Sequence, residues 1–184
     1  MSKVLLLLAP GFEEIEALGT CDVLCRLDVE VTMAALTWRW VDGAHGIQVA
    51  ANSVLDEVDP DKFDAVVLPG GMPGAVNLLA AKDLVRDFAD KGKVTAAICA
   101  APLVLSAAGV LEGRTFTMYP GMGKYLAPGE EPTGRLVETD GTVVTGKGPG
   151  ATFLFAAAVA RALGVSPQAT GEVLGAMFAA TTAE

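Results

Sequence analysis

Cys99 closes the apolar run Val94-Thr95-Ala96-Ala97-Ile98 and is followed at once by Ala100-Ala101-Pro102 and a helix-like Leu103-Val104-Leu105-Ser106. A cysteine on such a strand-to-helix turn projects from a sheet, small neighbours let a carbonyl approach, and the helix start supplies backbone N–H donors. That setting is expected to pull the thiol below its ordinary pKa of about 8.5 and so favour the thiolate. Two other loops carry chemistry-grade residues: Ala9-Pro10-Gly11-Phe12-Glu13-Glu14-Ile15-Glu16 and Leu68-Pro69-Gly70-Gly71-Met72-Pro73-Gly74. The glycines let backbone N–H groups face inward, so Gly71 N–H and Ala100 N–H form an oxyanion pair, with Gly70 lining the same pocket. Glu16, early on the first helix, is placed to reach the sulfur, and a carboxyl that keeps its proton would donate a hydrogen bond to the thiolate. Glu13 and Glu14, read alone, are favourable acidic charges at a helix N-terminus. The combined chemistry is acyl transfer or addition to a carbonyl.

The elements that must position these residues alternate between strand and helix. Strands are expected over 3–8, 29–35, 65–68 and 94–98, and helices over 13–27, 75–91, 101–108, 151–163 and 166–180. Arg135-Leu136-Val137-Glu138 and Thr142-Val143-Val144-Thr145 flank Asp140-Gly141, which reads as a tight hairpin turn. Residues 37–52 fit no βα alternation and read as an antiparallel excursion. The pattern predicts a mostly parallel sheet with helices on both faces and ligand contacts at the carboxyl ends of the strands, where the three loops converge.

With 184 residues the chain suits one domain, 1–184. No apolar stretch approaches the roughly 18 residues of a membrane span, and Lys3-Val4-Leu5-Leu6-Leu7-Leu8 reads as a buried strand rather than a signal peptide. Three cysteines make no disulfide framework, so a reducing, cytoplasmic setting is expected. A net charge of −9 argues against nucleic acid and anionic membranes as partners.

Gly11-Phe12-Glu13-Glu14-Ile15-Glu16-Ala17, Asp22-Val23-Leu24, Leu68-Pro69-Gly70-Gly71, Ala96-Ala97-Ile98-Cys99-Ala100-Ala101-Pro102 and Gly148-Pro149-Gly150-Ala151-Thr152-Phe153 closely resemble the ThiJ/PfpI superfamily, most strongly its DJ-one type. The resemblance implies an α/β, flavodoxin-like three-layer sandwich and a homodimer joined through the first helix. It also implies a reactive cysteine at Cys99 with a protonated glutamate at Glu16, and no cofactor. Members of the family are described as glyoxalases acting without glutathione, deglycases, oxidative-stress sensors and chaperones. The implied partner is therefore a small aldehyde or 2-oxoaldehyde substrate.

Departures from the family pattern sharpen the reading. Tyr119, in Thr117-Met118-Tyr119-Pro120, stands where the family commonly has a histidine near the cysteine, and a phenol with an ordinary pKa of about 10 is a poor base at neutral pH. Glu16 then has to move the proton. Tyr119, Gly148 and Pro149 are expected to wall the pocket. The single histidine, His45, lies upstream of Cys99, so peptidase and amidotransferase chemistry lose their Cys-His pair. By alignment His45 falls on a pocket-lining arginine of the family and Arg26 on one that approaches from the dimer partner. Either would bind a substrate oxygen; the plainer reading of both is a surface or structural residue.

Cys21 and Cys25 share one face of the first helix, where thiols are usually packing groups, and without histidines or a second pair they make no zinc site. Gly141-Thr142-Val143-Val144-Thr145-Gly146-Lys147-Gly148 imitates a phosphate loop but lacks the Ser or Thr after the lysine, and its β-branched interior reads as a strand. Two functions remain. One is a cofactor-free enzyme acting on 2-oxoaldehydes or their adducts; the alternative is a redox sensor or chaperone whose cysteine is oxidised to a sulfinate.

Overall fold

The computed structural model describes residues 1–179. β1 (Lys3–Leu8) sits inside the main sheet, and Val4 to Leu8 are fully buried, which is why this strand is continuously apolar instead of alternating. α1 (Glu14–Arg26) returns the chain to β2 (Glu30–Ala35), parallel to β1. The 37–52 excursion is the antiparallel pair β3 (Trp40–Asp42) and β4 (Gln48–Ala50), and a two-residue β5 (Ser53–Val54) then extends the edge beside β2. The chain crosses back to β6 (Ala65–Leu68), which lies on the other side of β1.

α2 (Gly74–Asn77) and α3 (Lys82–Asp90) follow, then β7 (Val94–Ile98) and α4 (Pro102–Ala107). β8 (Val137–Asp140) and β9 (Val143–Gly146) form the hairpin, and α5 (Thr152–Ala162) and α6 (Pro167–Ala176) close the chain. The seven-stranded sheet has the order β5-β2-β1-β6-β7-β9-β8, with β8 alone antiparallel to its neighbour. α1 packs against α5 and α6, while α2, α3 and α4 pack with one another, giving the helical layers of a flavodoxin-like sandwich. Connections from β1 run one way to β2 and the other way to β6, so the topological switch lies at the β1–β6 junction, where such sheets open a crevice.

Three expected elements shift. The helix expected over 75–91 is broken by a 3₁₀ segment, Leu78–Ala81. Its tighter winding stacks residues three apart, so Leu78 and Ala81 are both buried. The hairpin turns on Gly141-Thr142 rather than Asp140-Gly141, because Asp140 and Val143 are the closing pair. Gly141, at φ +61°, takes the first central position that a side chain would disfavour. The last helix ends at Ala176, and residue 180 of the expected span lies outside the described residues. Among the described residues no helix is long and apolar enough to cross a membrane.

Candidate active site

β1, β6 and β7 are adjacent, so the loops after them meet at one end of the sheet. Cys99, directly after β7, has φ +64°, a left-handed conformation that costs a non-glycine residue roughly 1–2 kcal/mol. The conformation is held from both sides: Cys99 N–H donates to Gly146 O at 2.8 Å, and Cys99 O accepts from Tyr119 N–H at 2.8 Å. Ala101 N–H closes the turn onto Ile98 O at 3.0 Å. The backbone N–H groups of Gly71 and Ala100, expected from the sequence to hold a substrate oxyanion, lie near the sulfur and pull its pKa down. α4 has only six residues, which leaves these two amides, rather than a long helix, as the local source of positive potential.

Glu16 is almost fully buried, on the first turn of α1. Its Oε2 accepts from Gly70 N–H at 2.7 Å, and its carboxyl lies beside Cys99, the two side chains flanking Gly70. Its Oε1 is buried with no hydrogen-bond partner. The helix start is fixed by Glu13, which is the N-cap and accepts from Glu16 N–H at 2.7 Å. Glu13 is thus a cap rather than a first-turn charge. Gly70 has no substitute here, since a Cβ would lie 2.7 Å from both Cys99 Cβ and Glu16 Oε2. Gly71, at φ +88°, would place a Cβ 2.4 Å from Gly11 O.

Burial raises the Glu16 carboxyl to about 7, with the Glu13 charge adding to the rise and the Gly70 and Cys99 hydrogen bonds opposing it. The Cys99 thiol is pushed up to about 12, first by burial and then by the Glu16 charge, against the pull of the Gly71 and Ala100 amides. The lowered thiol pKa expected from the strand-to-helix turn is therefore not found: burial raises it, and the Glu16 charge raises it further. The two groups are neighbours that resist being anionic together, so a thiolate forms here when the proton rests on Glu16.

Residues 2–162 match the model of the DJ-1/PfpI family. The chain belongs to the DJ-1/PfpI family. The Drosophila melanogaster protein dj-1beta is 39% identical over 169 residues, covering 89% of this chain and 90% of that one. Its crystal structure superposes with a TM-score of 0.91 at 36% identity, covering 98% of this chain and all of that one. Deglycase PfpI of Pyrococcus furiosus is 37% identical over 156 residues, 83% of this chain and 94% of that one. Toxoplasma gondii DJ-1, solved in an oxidized form, gives a TM-score of 0.91 at 29% identity, covering 98% of this chain and all of that one.

Beyond the elbow, Tyr119, Gly148 and Pro149, expected to wall the cysteine pocket, border with Pro120 and Lys147 a largely apolar cavity of about 390 Å³ whose lining includes neither Cys99 nor Glu16. Tyr119 is half exposed, and its ring packs over Gly148, where a Cβ would meet it at 3.3 Å. A larger cleft of about 650 Å³ runs past Arg135, Leu154 and Arg161; like the smaller cavity it is lined by no cysteine, so neither volume by itself locates the chemistry.

His45 is tied to Glu14. The buried Glu14 carboxylate accepts His45 N–H at 2.7 Å through Oε1 and contacts His45 Nδ1 at 2.7 Å through Oε2. Glu14 is in the first turn of α1, as expected, and is in addition the buried partner of His45. Burial raises its pKa, but the His45 hydrogen bonds outweigh that and lower it overall; the same contact raises His45. Ligand atoms of Glu13, Glu14 and His45 lie within 4.8 Å of one another, a closeness that the cap and the Glu14–His45 contact account for. Arg26 pairs with Asp22 at 2.7 Å. It lies ten residues beyond Glu16 on α1, about 15 Å along the axis, so the fold does not bring it to Cys99 of its own chain.

Proposed function

We propose that the chain is a cysteine-dependent stress-response protein of the deglycase or glyoxalase type, acting on reactive 2-oxoaldehydes or their adducts without a cofactor. The observation that carries this reading is a buried Glu16 carboxyl, held by Gly70 N–H at 2.7 Å and raised to about 7, beside Cys99 on its left-handed turn at φ +64°. Relatives that bear the name deglycase support the same class of chemistry.

Cys99 thiolate adds to the aldehyde carbon, forming a C–S bond while the carbonyl oxygen takes the electron pair and then a proton. Gly71 and Ala100 N–H groups stabilise that developing charge. Glu16 carboxylate removes the hydrogen of the former aldehyde carbon as a proton and returns it to the adjacent carbon, so the first carbon is oxidised as the second is reduced. The product is a 2-hydroxyacyl thioester, and water cleaves it to the 2-hydroxy acid, restoring the thiol. A group near pKa 7 suits both halves of such a proton transfer at neutral pH.

Exposed apolar residues on α1 and elsewhere, Ile15, Leu18, Ile47 and Phe153, support a homodimer, in which Arg26 of each protomer approaches the other pocket. His45, half of a fixed pair, is the other candidate to bind a substrate oxygen. The setting proposed is the cytoplasm.

A second reading is favoured by the same two amides: on a buried sulfur they would equally hold the oxygens of a sulfinate, with Glu16 donating its proton. The experiment is D- and L-lactate formation from methylglyoxal by wild type, Cys99→Ser and Glu16→Gln, beside intact mass after peroxide. Loss of turnover in Cys99→Ser is expected. Turnover that survives it sinks the enzymatic reading, and absence of a species heavier by about 32 Da sinks the sulfinate reading.

A further inference from the structure

α1 carries two thiols outside the active site. Cys21 and Cys25 stand four residues apart on this 13-residue helix, on one face of it. Cys25 is exposed, while Cys21 is partly covered and packed against the core, so the pair has one anchored and one adjustable sulfur. We infer that Cys21 and Cys25 form a dithiolate site for a soft, two-coordinate metal ion, with Cu(I) as the best-fitting class.

Three physical arguments select this chemistry. Residues i and i+4 on a helix keep their Cβ atoms about 5–6 Å apart. A disulfide requires about 3.5–4.5 Å, so the intact helix resists closing a sulfur–sulfur bond. A metal bonded to each sulfur at about 2.3 Å spans sulfurs up to about 4.6 Å apart, which side-chain rotation can supply. Cys21 is also a poor nucleophile on its own. Burial and the neighbouring Cys25 push Cys21 up to about 12, and the negative end of the helix opposes a free thiolate.

A cation that displaces both protons removes that obstacle: M⁺ and two thiols give a bis-thiolate complex of charge −1 and two protons. Soft thiolates select Cu(I) over hard cations. Zinc needs four ligands, and the nearest carboxylate on the same helix turn, Asp22, is engaged by Arg26 at 2.7 Å.

The test uses the full chain carrying Cys99→Ser, so that the buried active-site sulfur does not compete. Cu(I) is titrated without oxygen against a chromophoric Cu(I) chelator. One tightly held equivalent per chain is expected, with copper X-ray absorption showing two sulfur neighbours. Adding Cys21→Ser or Cys25→Ser should weaken binding at least about 100-fold, because a chelate becomes a single contact. Cys25 is exposed, so its substitution leaves the core intact and separates loss of a ligand from loss of the fold. Undiminished binding by Cys25→Ser overturns the proposal. Half an equivalent per chain does so as well, since the metal would then join two chains instead of one pair of thiols.

Discussion

Replacing Glu16 with glutamine tests how the thiolate is made. The substitution keeps size and shape, and Gly70 N–H, 2.7 Å from Oε2, orients the amide oxygen toward itself and the NH₂ toward sulfur. Two accounts of Glu16 predict opposite signs. If the wild-type thiolate leans on a protonated Glu16, glutamine exchanges a strong O–H donor for a weaker N–H donor. A loss of about 1.4 kcal/mol, about the lower limit for hydrogen bonds to charged groups because a weaker bond replaces the first, raises the titration midpoint of Cys99 by about one unit. If Glu16 instead stays an anion beside the sulfur, glutamine removes a repulsion of about 4 kcal/mol, for charges about 4 Å apart at an effective dielectric of about 20. The midpoint then falls by about three units.

The assay is the rate of iodoacetamide alkylation of Cys99 between about pH 5 and 10, followed by intact mass in a Cys21→Ser/Cys25→Ser background. The expected result is a roughly tenfold slower reaction at pH 7, with the profile displaced to higher pH. Faster alkylation in Glu16→Gln refutes the protonated-carboxyl mechanism outright. Lactate formation should fall much further, by about 100- to 10,000-fold, because an amide forms the hydrogen bond but cannot carry a proton between two carbons. Equal losses in alkylation and turnover would show that Glu16 only tunes the sulfur.

Gly70→Ala should lower stability by about 1–3 kcal/mol, since its Cβ would meet Cys99 Cβ, Glu16 Oε2 and the Ile98 carbonyl at 2.7–2.9 Å; thermal denaturation reads this, and an unchanged Tm contradicts the close packing. The single histidine makes the Glu14–His45 contact readable by proton NMR: His45 should titrate above its ordinary value near 6.5, and Glu14→Gln should bring it back down. The sign of its stability contribution follows. The raised His45 contributes fully below about 6.5 and loses this as pH rises through its folded value; the lowered Glu14 contributes above about 4.3 and loses this as pH falls through its own. The advantage of wild type over Glu14→Gln should therefore peak between about pH 4.3 and 6.5, measured as Tm against pH.

Much of the sheet and the cysteine elbow could be read from the chain because their signals are local. Val94 to Ile98 is an apolar run ended by small residues, and Leu5 to Leu8 is too uniformly apolar for anything but a doubly covered strand. What escaped depends on contacts between distant segments. The Glu14–His45 contact joins residues 31 apart, and the role of Gly70 is a backbone N–H meeting a side chain 54 residues away. The rise of the thiol pKa escaped for the same reason, because it comes from burial and a neighbouring charge. The 3₁₀ break at Leu78–Ala81 carries no glycine or proline and reflects which side chains must face the core. One local clue to Glu13 was present: glutamates three apart, Glu13 and Glu16, imitate the spacing of a capping box.

The first turn of α1 shows how neighbouring carboxyls acquire different tasks. Glu14 and Glu16 are both buried, two residues apart, on the same helix end. Sequence alone would give them one chemistry. Glu14 faces the hairpin side, where His45 offers two hydrogen bonds, so its charged form is favoured despite burial. Glu16 faces Gly70 and Cys99, where one amide and a thiol compensate too little of its desolvation, so its neutral form persists to about 7. Environments that push paired carboxyls apart in this way assign acid and base roles. An ionised Glu14 anchors the loop that carries His45, and Glu16, poised between its two forms, is left to exchange a proton with the sulfur. The reactive centre we propose is accordingly a cysteine and a carboxyl sharing one proton, in a chain whose only imidazole is paired with Glu14.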